Sequence, residues 1–254
     1  MPLSTLVKIA GDLSRDLKMI PFHAPVANVY DPADYAREPL KMYLEKYGQA
    51  PKRVVFVGMN PGPWGMVQTG VPFGEVNLVR DWMGIEGNVG VPERPHPKRP
   101  VEGFTCRRRE VSGQRLWGWA RRRFGSSERF FRENFVLNYC PLAFFDERGR
   151  NLTPEKLRVS DRETLFGLCD DASRESIRVL EPQFVLGIGK FAFERLSFAL
   201  EGMKVRIGRI THPSPANPMA NRGWEDIIEK ELAKLGITLP PLSDPDRQLV
   251  ISDR

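Results

Sequence analysis

Three polar side chains stand where apolar runs give out: Asn60 after "VVFVGM", Asn138 after "NFVL", and His212 after "RIGRIT". An amide has no useful basicity. It does carry a donor and an acceptor side by side, so it can hold a water molecule or meet the N–H and C=O edge of a pyrimidine. An imidazole can donate a hydrogen bond to negative charge gathering on a departing group. The trio is thus typed for orientation and charge stabilisation, not for strong general-base catalysis. Each also has a structural reading: Asn60 ending a strand in a tight turn, Asn138 bonding nearby backbone, His212 bracing a loop.

The loop around Asn60, "GMNPGPWGMVQTGVPFGEV" (58–76), is unusually stiff for its length. Prolines fix φ, and glycines let backbone approach a ligand closely. Phe73, between Pro72 and Gly74, is either a core ring or an aromatic held ready to stack on a flat one. After His212, "PSPANP" can form neither helix nor sheet and makes a second stiff loop carrying Ala216 and Met219. Such a loop is an ordinary helix entry or a wedge able to enter a base stack.

Four apolar runs must position these groups: 53–60, 134–140, 183–189 and 204–212, the last alternating apolar and basic residues as a strand near a sheet edge does. Helical periodicity covers 4–18, 33–47, 113–124 behind a Ser112 cap, 160–180, 190–200 and 218–235, with Pro39 able to interrupt the second. "GIGK" before 190–200 reads as a helix start. Strands alternating with helices predict an α/β fold with a mostly parallel sheet covered on both faces. Ligands of such sheets sit beyond the carboxyl ends of the strands, where Asn60, Asn138 and His212 lie.

The chain has 254 residues, enough for one large α/β domain, and its 38 Lys and Arg against 32 Asp and Glu give a net charge of +6. Basic residues cluster in 94–100, 106–110 and 120–124, which favours an acidic partner. Arg107, Arg108, Arg109, Arg121 and Arg222 are candidates for phosphate contact. Cys106, Cys140 and Cys169 are widely spaced with no C-x-x-C pair, so they read as reduced structural thiols and not as a disulfide, zinc or iron–sulfur set. No run is long enough to span a bilayer, and the N-terminus lacks a signal-peptide pattern, so the expected compartment is cytosolic, or nuclear in a nucleated cell. Residues 90–100, "GVPERPHPKRP", read as a long surface loop, and about 240–254 as a weakly ordered tail.

Four segments, "GMNPGPWGMVQTGVPFGEV", "EVSGQRLWG" (110–118), "NYCPL" (138–142) and "HPSPANPMANRGW" (212–224), resemble the motifs of the single-strand-selective monofunctional uracil-DNA glycosylases, within the uracil-DNA glycosylase superfamily. The similarity runs over roughly residues 20 to 235, and the first and last motifs are long enough to be specific. Two positions depart from the family pattern: Trp64 stands where Phe is common, and Ala216 replaces a bulkier polar residue, which bears on the strength of duplex binding.

The resemblance implies a three-layer sandwich whose central, mostly parallel four-stranded sheet is flanked by helices, in a single domain over 1–254. It also implies that Asn60 holds the attacking water, His212 stabilises the departing base, Asn138 reads the uracil edge and Phe73 stacks on it. Met59 backbone, Gly62 and Met66 would complete the base pocket, the last two near C5. Pro215, Ala216, Asn217, Met219, Asn221 and Arg222 would form the wedge and backbone contacts.

The implied activity is release of uracil and 5-hydroxymethyluracil from single- and double-stranded DNA; no metal or cofactor is expected, no lysine stands in the four segments for a lyase step, and a monomer is the default. An amide that only orients water requires a dissociative reaction, in which the glycosidic bond breaks before water attacks. Two other readings stay open on the residues: a damaged-base sensor without turnover, and an α/β hydrolase or transferase acting on free nucleosides.

Overall fold

In the computed structural model, residues 4–242 are described. Ser4 caps the first helix, α1 (Thr5–Leu17), by accepting the Val7 N–H at 3.3 Å. Short strand β1 (Asn28–Tyr30) follows, then α2 (Pro32–Tyr35) and α3 (Arg37–Tyr47). Sequence periodicity merges α2 and α3 into one helix; the chain breaks at Ala36 (φ −110°, ψ 35°). Pro39 explains the break, because its ring would clash with the Tyr35 carbonyl four residues back. That carbonyl instead accepts the Gly90 N–H at 2.7 Å.

Strand β2 (Val54–Gly58) and the short helix α4 (Met66–Thr69) precede α5 (Val111–Phe124) and α6 (Ser127–Glu133). Then come β3 (Asn134–Asn138), β4 (Ala143–Phe145), β5 (Asn151–Leu152), α7 (Val159–Leu180), β6 (Phe184–Ile188), α8 (Lys190–Ala199), β7 (Arg206–Ile210) and α9 (Trp224–Lys234). The main sheet has four strands in the order β3-β2-β6-β7, every neighbouring pair parallel. Inner strands β2 and β6 are buried along their whole length, which is why their sequences are continuously apolar. β7 alternates exposed and buried positions, as an edge strand with one covered face must.

Successive side chains of β2 point to opposite layers. Val57 lines an apolar cavity together with Leu6, Leu40, Leu44 and Ile177, from α1, α3 and α7, while Phe56 meets Trp119 of α5, whose ring also abuts Trp224 of α9. The three-layer α/β sandwich read from the sequence is therefore the architecture. A second, antiparallel sheet, β1-β4-β5, lies outside that reading. So does the short helix α6. The 90–100 segment is surface loop only in part: His96 is buried, its ring bonded to the Glu147 carbonyl at 3.1 Å and its N–H to the Tyr30 hydroxyl at 2.6 Å. Of the expected weakly ordered tail, residues 243–254 lie outside the described residues.

Candidate active site

The carboxyl ends of the parallel strands open into a cleft of about 600 Å³. Strand register sets Gly58 of β2 beside Asn138 of β3. Gly58 has no room for a side chain: a Cβ there would lie 2.4 Å from Asn138 Oδ1 and 2.6 Å from the Phe73 ring. The glycine thus lets the amide and the aromatic crowd over one strand end. Strand order reverses between β2 and β6, since the chain leaves β2 toward β3 and leaves β6 toward β7. A crevice at such a reversal is the usual ligand site of an open α/β sheet.

Asn138 turns Nδ2 toward the Met66 sulfur at 3.2 Å. Its Oδ1 is buried with no hydrogen-bond partner in the protein, an arrangement that costs about 1–3 kcal/mol until a donor arrives. A ligand N–H is the group that fits. Asn60 lies two residues beyond the end of β2, so the strand is shorter than its apolar run suggests. Its Nδ2 donates to the Leu142 carbonyl at 3.2 Å, which leaves the side-chain oxygen as an acceptor for water.

His212 likewise lies two residues past β7. Its Nδ1 accepts the Ser214 N–H at 3.0 Å, so the neutral ring carries its proton on Nε2 and presents a donor. Burial depresses its pKa from 6.5 to about 4. Thr211, just before it, is clamped by Glu231 of α9, which accepts both its N–H and its hydroxyl at 2.7 Å. Because only the folded state resists protonation, stability is lost as pH falls from 6.5 toward 4. An NMR titration is expected to show the Nε2–H tautomer of His212 unchanged from pH 8 to about 5, with its transition near 4. A transition near 6.5 would contradict this.

Phe73 adopts φ 54°, a left-handed conformation that costs a non-glycine residue about 1–3 kcal/mol. Surrounding structure enforces it. Trp117 Nε1 donates to the Phe73 carbonyl at 3.0 Å, and Gly113 leaves α5 close enough that a Cβ there would sit 2.0 Å from the same oxygen. The Phe73 ring lies 6.1 Å from the His212 ring, tilted by 46°. Together the groups offer an unpaired acceptor, a fixed donor, a flat ring and a second amide around one space.

A model of the uracil DNA glycosylase superfamily matches residues 45–233, most of the chain. The chain belongs to that superfamily. The rat single-strand selective monofunctional uracil-DNA glycosylase is 48% identical over 234 residues, covering 91% of this chain and 84% of its own length. Its bovine counterpart is 46% identical over 233 residues, covering 91% and 85%. These similarities place the chain in the single-strand selective monofunctional group. A crystal structure of SMUG2 from Pedobacter heparinus superposes with a TM-score of 0.63 over 90% of this chain and 97% of that one; at 16% identity the likeness speaks for the fold alone.

In this uracil-DNA glycosylase, Met59, Gly62, Met66 and Pro215 line the same cleft as the four groups above. Met59 fixes its carbonyl on the Cys140 N–H at 2.9 Å. Ala216, Asn217, Met219, Asn221 and Arg222 lie beyond the cleft in the loop after His212. Met219 is 55% exposed at its tip. Asn217 and Asn221 brace that loop from within: Asn217 Nδ2 donates to the His212 carbonyl at 3.1 Å, and Asn221 Nδ2 to the Pro215 carbonyl at 2.9 Å. Arg115 of α5 ties the loop down, donating to the Pro213 carbonyl at 2.9 Å and Asn221 Oδ1 at 2.8 Å.

Arg107, Arg108 and Arg109 are exposed; Arg109 lines the cleft, and Arg108 stacks at 4.3 Å on Trp64 of its wall. Arg121 is ten residues into α5 from Val111 in the cleft wall, about 15 Å along the helix. The sequence reading gave Ser112 as the cap of α5, but Glu110 is the cap, accepting the Ser112 N–H at 3.3 Å. Glu110 also lines the cleft, although the sequence marks it only as the first residue of the 110–118 segment and gives it no role. A Cβ on Gly62 would meet its carboxylate at 2.6 Å, so bulk at position 62 would disturb Glu110 before it reached a bound base.

Proposed function

We propose that the cleft binds a flipped-out uracil and that its residues divide the hydrolysis among them. Membership of the family makes the chain a monofunctional uracil-DNA glycosylase; the residue roles and the wider substrate range are the proposal. The observation that carries it is the buried, partnerless Asn138 Oδ1, an acceptor positioned for the N3–H of the base. Phe73 stacks on the ring. As the bond from N1 to C1′ breaks, its electron pair passes to the base, and the His212 Nε2–H stabilises the charge on a carbonyl oxygen of the base. A fixed donor of this kind contributes about 2.7–4 kcal/mol. Water oriented by Asn60 then attacks the oxocarbenium-like sugar, giving an abasic site.

Base chemistry within a duplex is sterically blocked, so the nucleotide leaves the stack at a cost of a few kcal/mol. The loop over 213–221 would fill the gap and extend action to double-stranded DNA. Met66 separates the cleft from an apolar cavity of about 80 Å³ behind it. An unbranched thioether can yield into such space, which supports admission of a C5 hydroxymethyl group. Met66→Phe should therefore reduce excision of 5-hydroxymethyluracil roughly 10-fold more than excision of uracil. Equal losses would remove Met66 from the C5 edge. The overall reading is tested by incubating the protein with matched single- and double-stranded oligonucleotides carrying one uracil or one 5-hydroxymethyluracil. Free base without strand cleavage is expected from all four; retained binding without release would turn the reading into a sensor.

A further inference from the structure

Glu110 is the one acidic group among the described residues that line the cleft. Its carboxylate accepts the N–H of Ser112 at 3.3 Å, and the nearby Ser112 hydroxyl and Trp64 N–H favour its charged form. No ion pair to it is found among the described residues. Gly62 and Gly65 make the space it occupies: Cβ atoms there would stand 2.6 Å from its Oε2 and 2.8 Å from its Cγ. The acid therefore rests against the loop that presents Asn60, two residues before Gly62. Capping alone does not call for this group. Ser, Thr or Asn would cap α5 as well without placing an unpaired charge in a half-buried cleft.

We propose that Glu110 is a catalytic residue of this hydrolysis: its carboxylate opposes the positive charge developing on the sugar and accepts a proton from the water held by Asn60. The inference rests on the reading of the cleft given above. In balance, the C1′–N1 bond breaks with its electron pair leaving on the base, and the water oxygen bonds to C1′. One water proton passes to Glu110 and from there to solvent or to the base anion, so that neutral uracil and a C1′ hydroxyl result. The carboxylate suits proton acceptance because burial raises its pKa above the ordinary 4.5. The titratable groups facing it are Arg109 on its own segment and His212 across the cleft. The 59–66 loop and residues 151–153 bring no charge, and Arg115 is committed to Pro213 and Asn221.

The test is the pH dependence of single-turnover uracil release from a uracil-containing oligonucleotide by wild type, Glu110→Gln and Glu110→Asp, alongside binding to an abasic-site analogue. Wild type is expected to lose rate on the acid side with a midpoint above 4.5. Glu110→Gln should be about 10²-fold slower at neutral pH with binding kept, and its acid limb should move down to that of His212, near 4. Glu110→Asp should retain an acid limb and part of the rate, which keeps the test available if the glutamine variant folds poorly. A glutamine variant within a few-fold of wild type, or an aspartate variant whose limb matches that of His212, would overturn the proposal and leave Glu110 as a cap. Absence of uracil release by wild type is a distinct result and would overturn the reading of the cleft itself.

Discussion

Alanine at position 212 is expected to slow single-turnover release of uracil by about 10²–10³-fold, while affinity for uracil-containing DNA changes little. The size follows from what is removed. His212 offers its Nε2–H from a ring already aligned by the Ser214 N–H, on a loop held by Glu231, Asn217 and Arg115. Nothing must reorganise when charge reaches the base, and burial that lowers the His212 pKa to about 4 also strengthens the donor's pull on that charge. The donor matters most when the base leaves, so the loss falls on the rate and not on binding. Full activity in His212→Ala would show that the base departs without this donor.

Gly113→Ala, outside the base pocket, is expected to impair folding stability and uracil release together. The added methyl would lie 2.0 Å from the Phe73 carbonyl, and that atom is backbone, with no flexible end to swing aside. Either α5 moves outward or Phe73 leaves its left-handed conformation, and each course weakens the Trp117 bond to the same oxygen at 3.0 Å. Overpacking of this kind costs about 1–3 kcal/mol, measurable by denaturant unfolding. Because the Phe73 ring shares the cleft with Asn138 and His212, uracil release should also fall by at least about 10-fold at temperatures where the variant remains folded. Wild-type stability together with wild-type release would mean that Phe73 does not depend on this contact.

Much of this was legible in the sequence because burial on both faces leaves a plain mark. Strands β2 and β6 are continuously apolar since helices cover both sides of them, and a run that stops at a polar residue locates the end of the sheet. The small sheet left no such mark: β1, β4 and β5 are two or three residues each, and β1 finds its partner Phe145 only through the tertiary fold. The two amides and the histidine were found because strand ends are where ligands gather. Glu110 was missed because its neighbours in the cleft, Gly62 and Gly65, are distant in the chain; the local sign was an acid two residues before Ser112, at cap spacing. The neutral state of His212 was equally out of reach, since it depends on burial and on which proton the Ser214 N–H excludes.

The central claim is that Asn138, Phe73 and His212 together hold one flipped base. A crystal structure of the slow His212→Ala variant with an oligonucleotide containing uracil tests it most directly. The base is expected in the cleft, its N3–H on Asn138 Oδ1, its face on the Phe73 ring, and a water against the Asn60 oxygen. A base bound elsewhere, or seated in the cleft with Asn138 Oδ1 still unpaired, would contradict it.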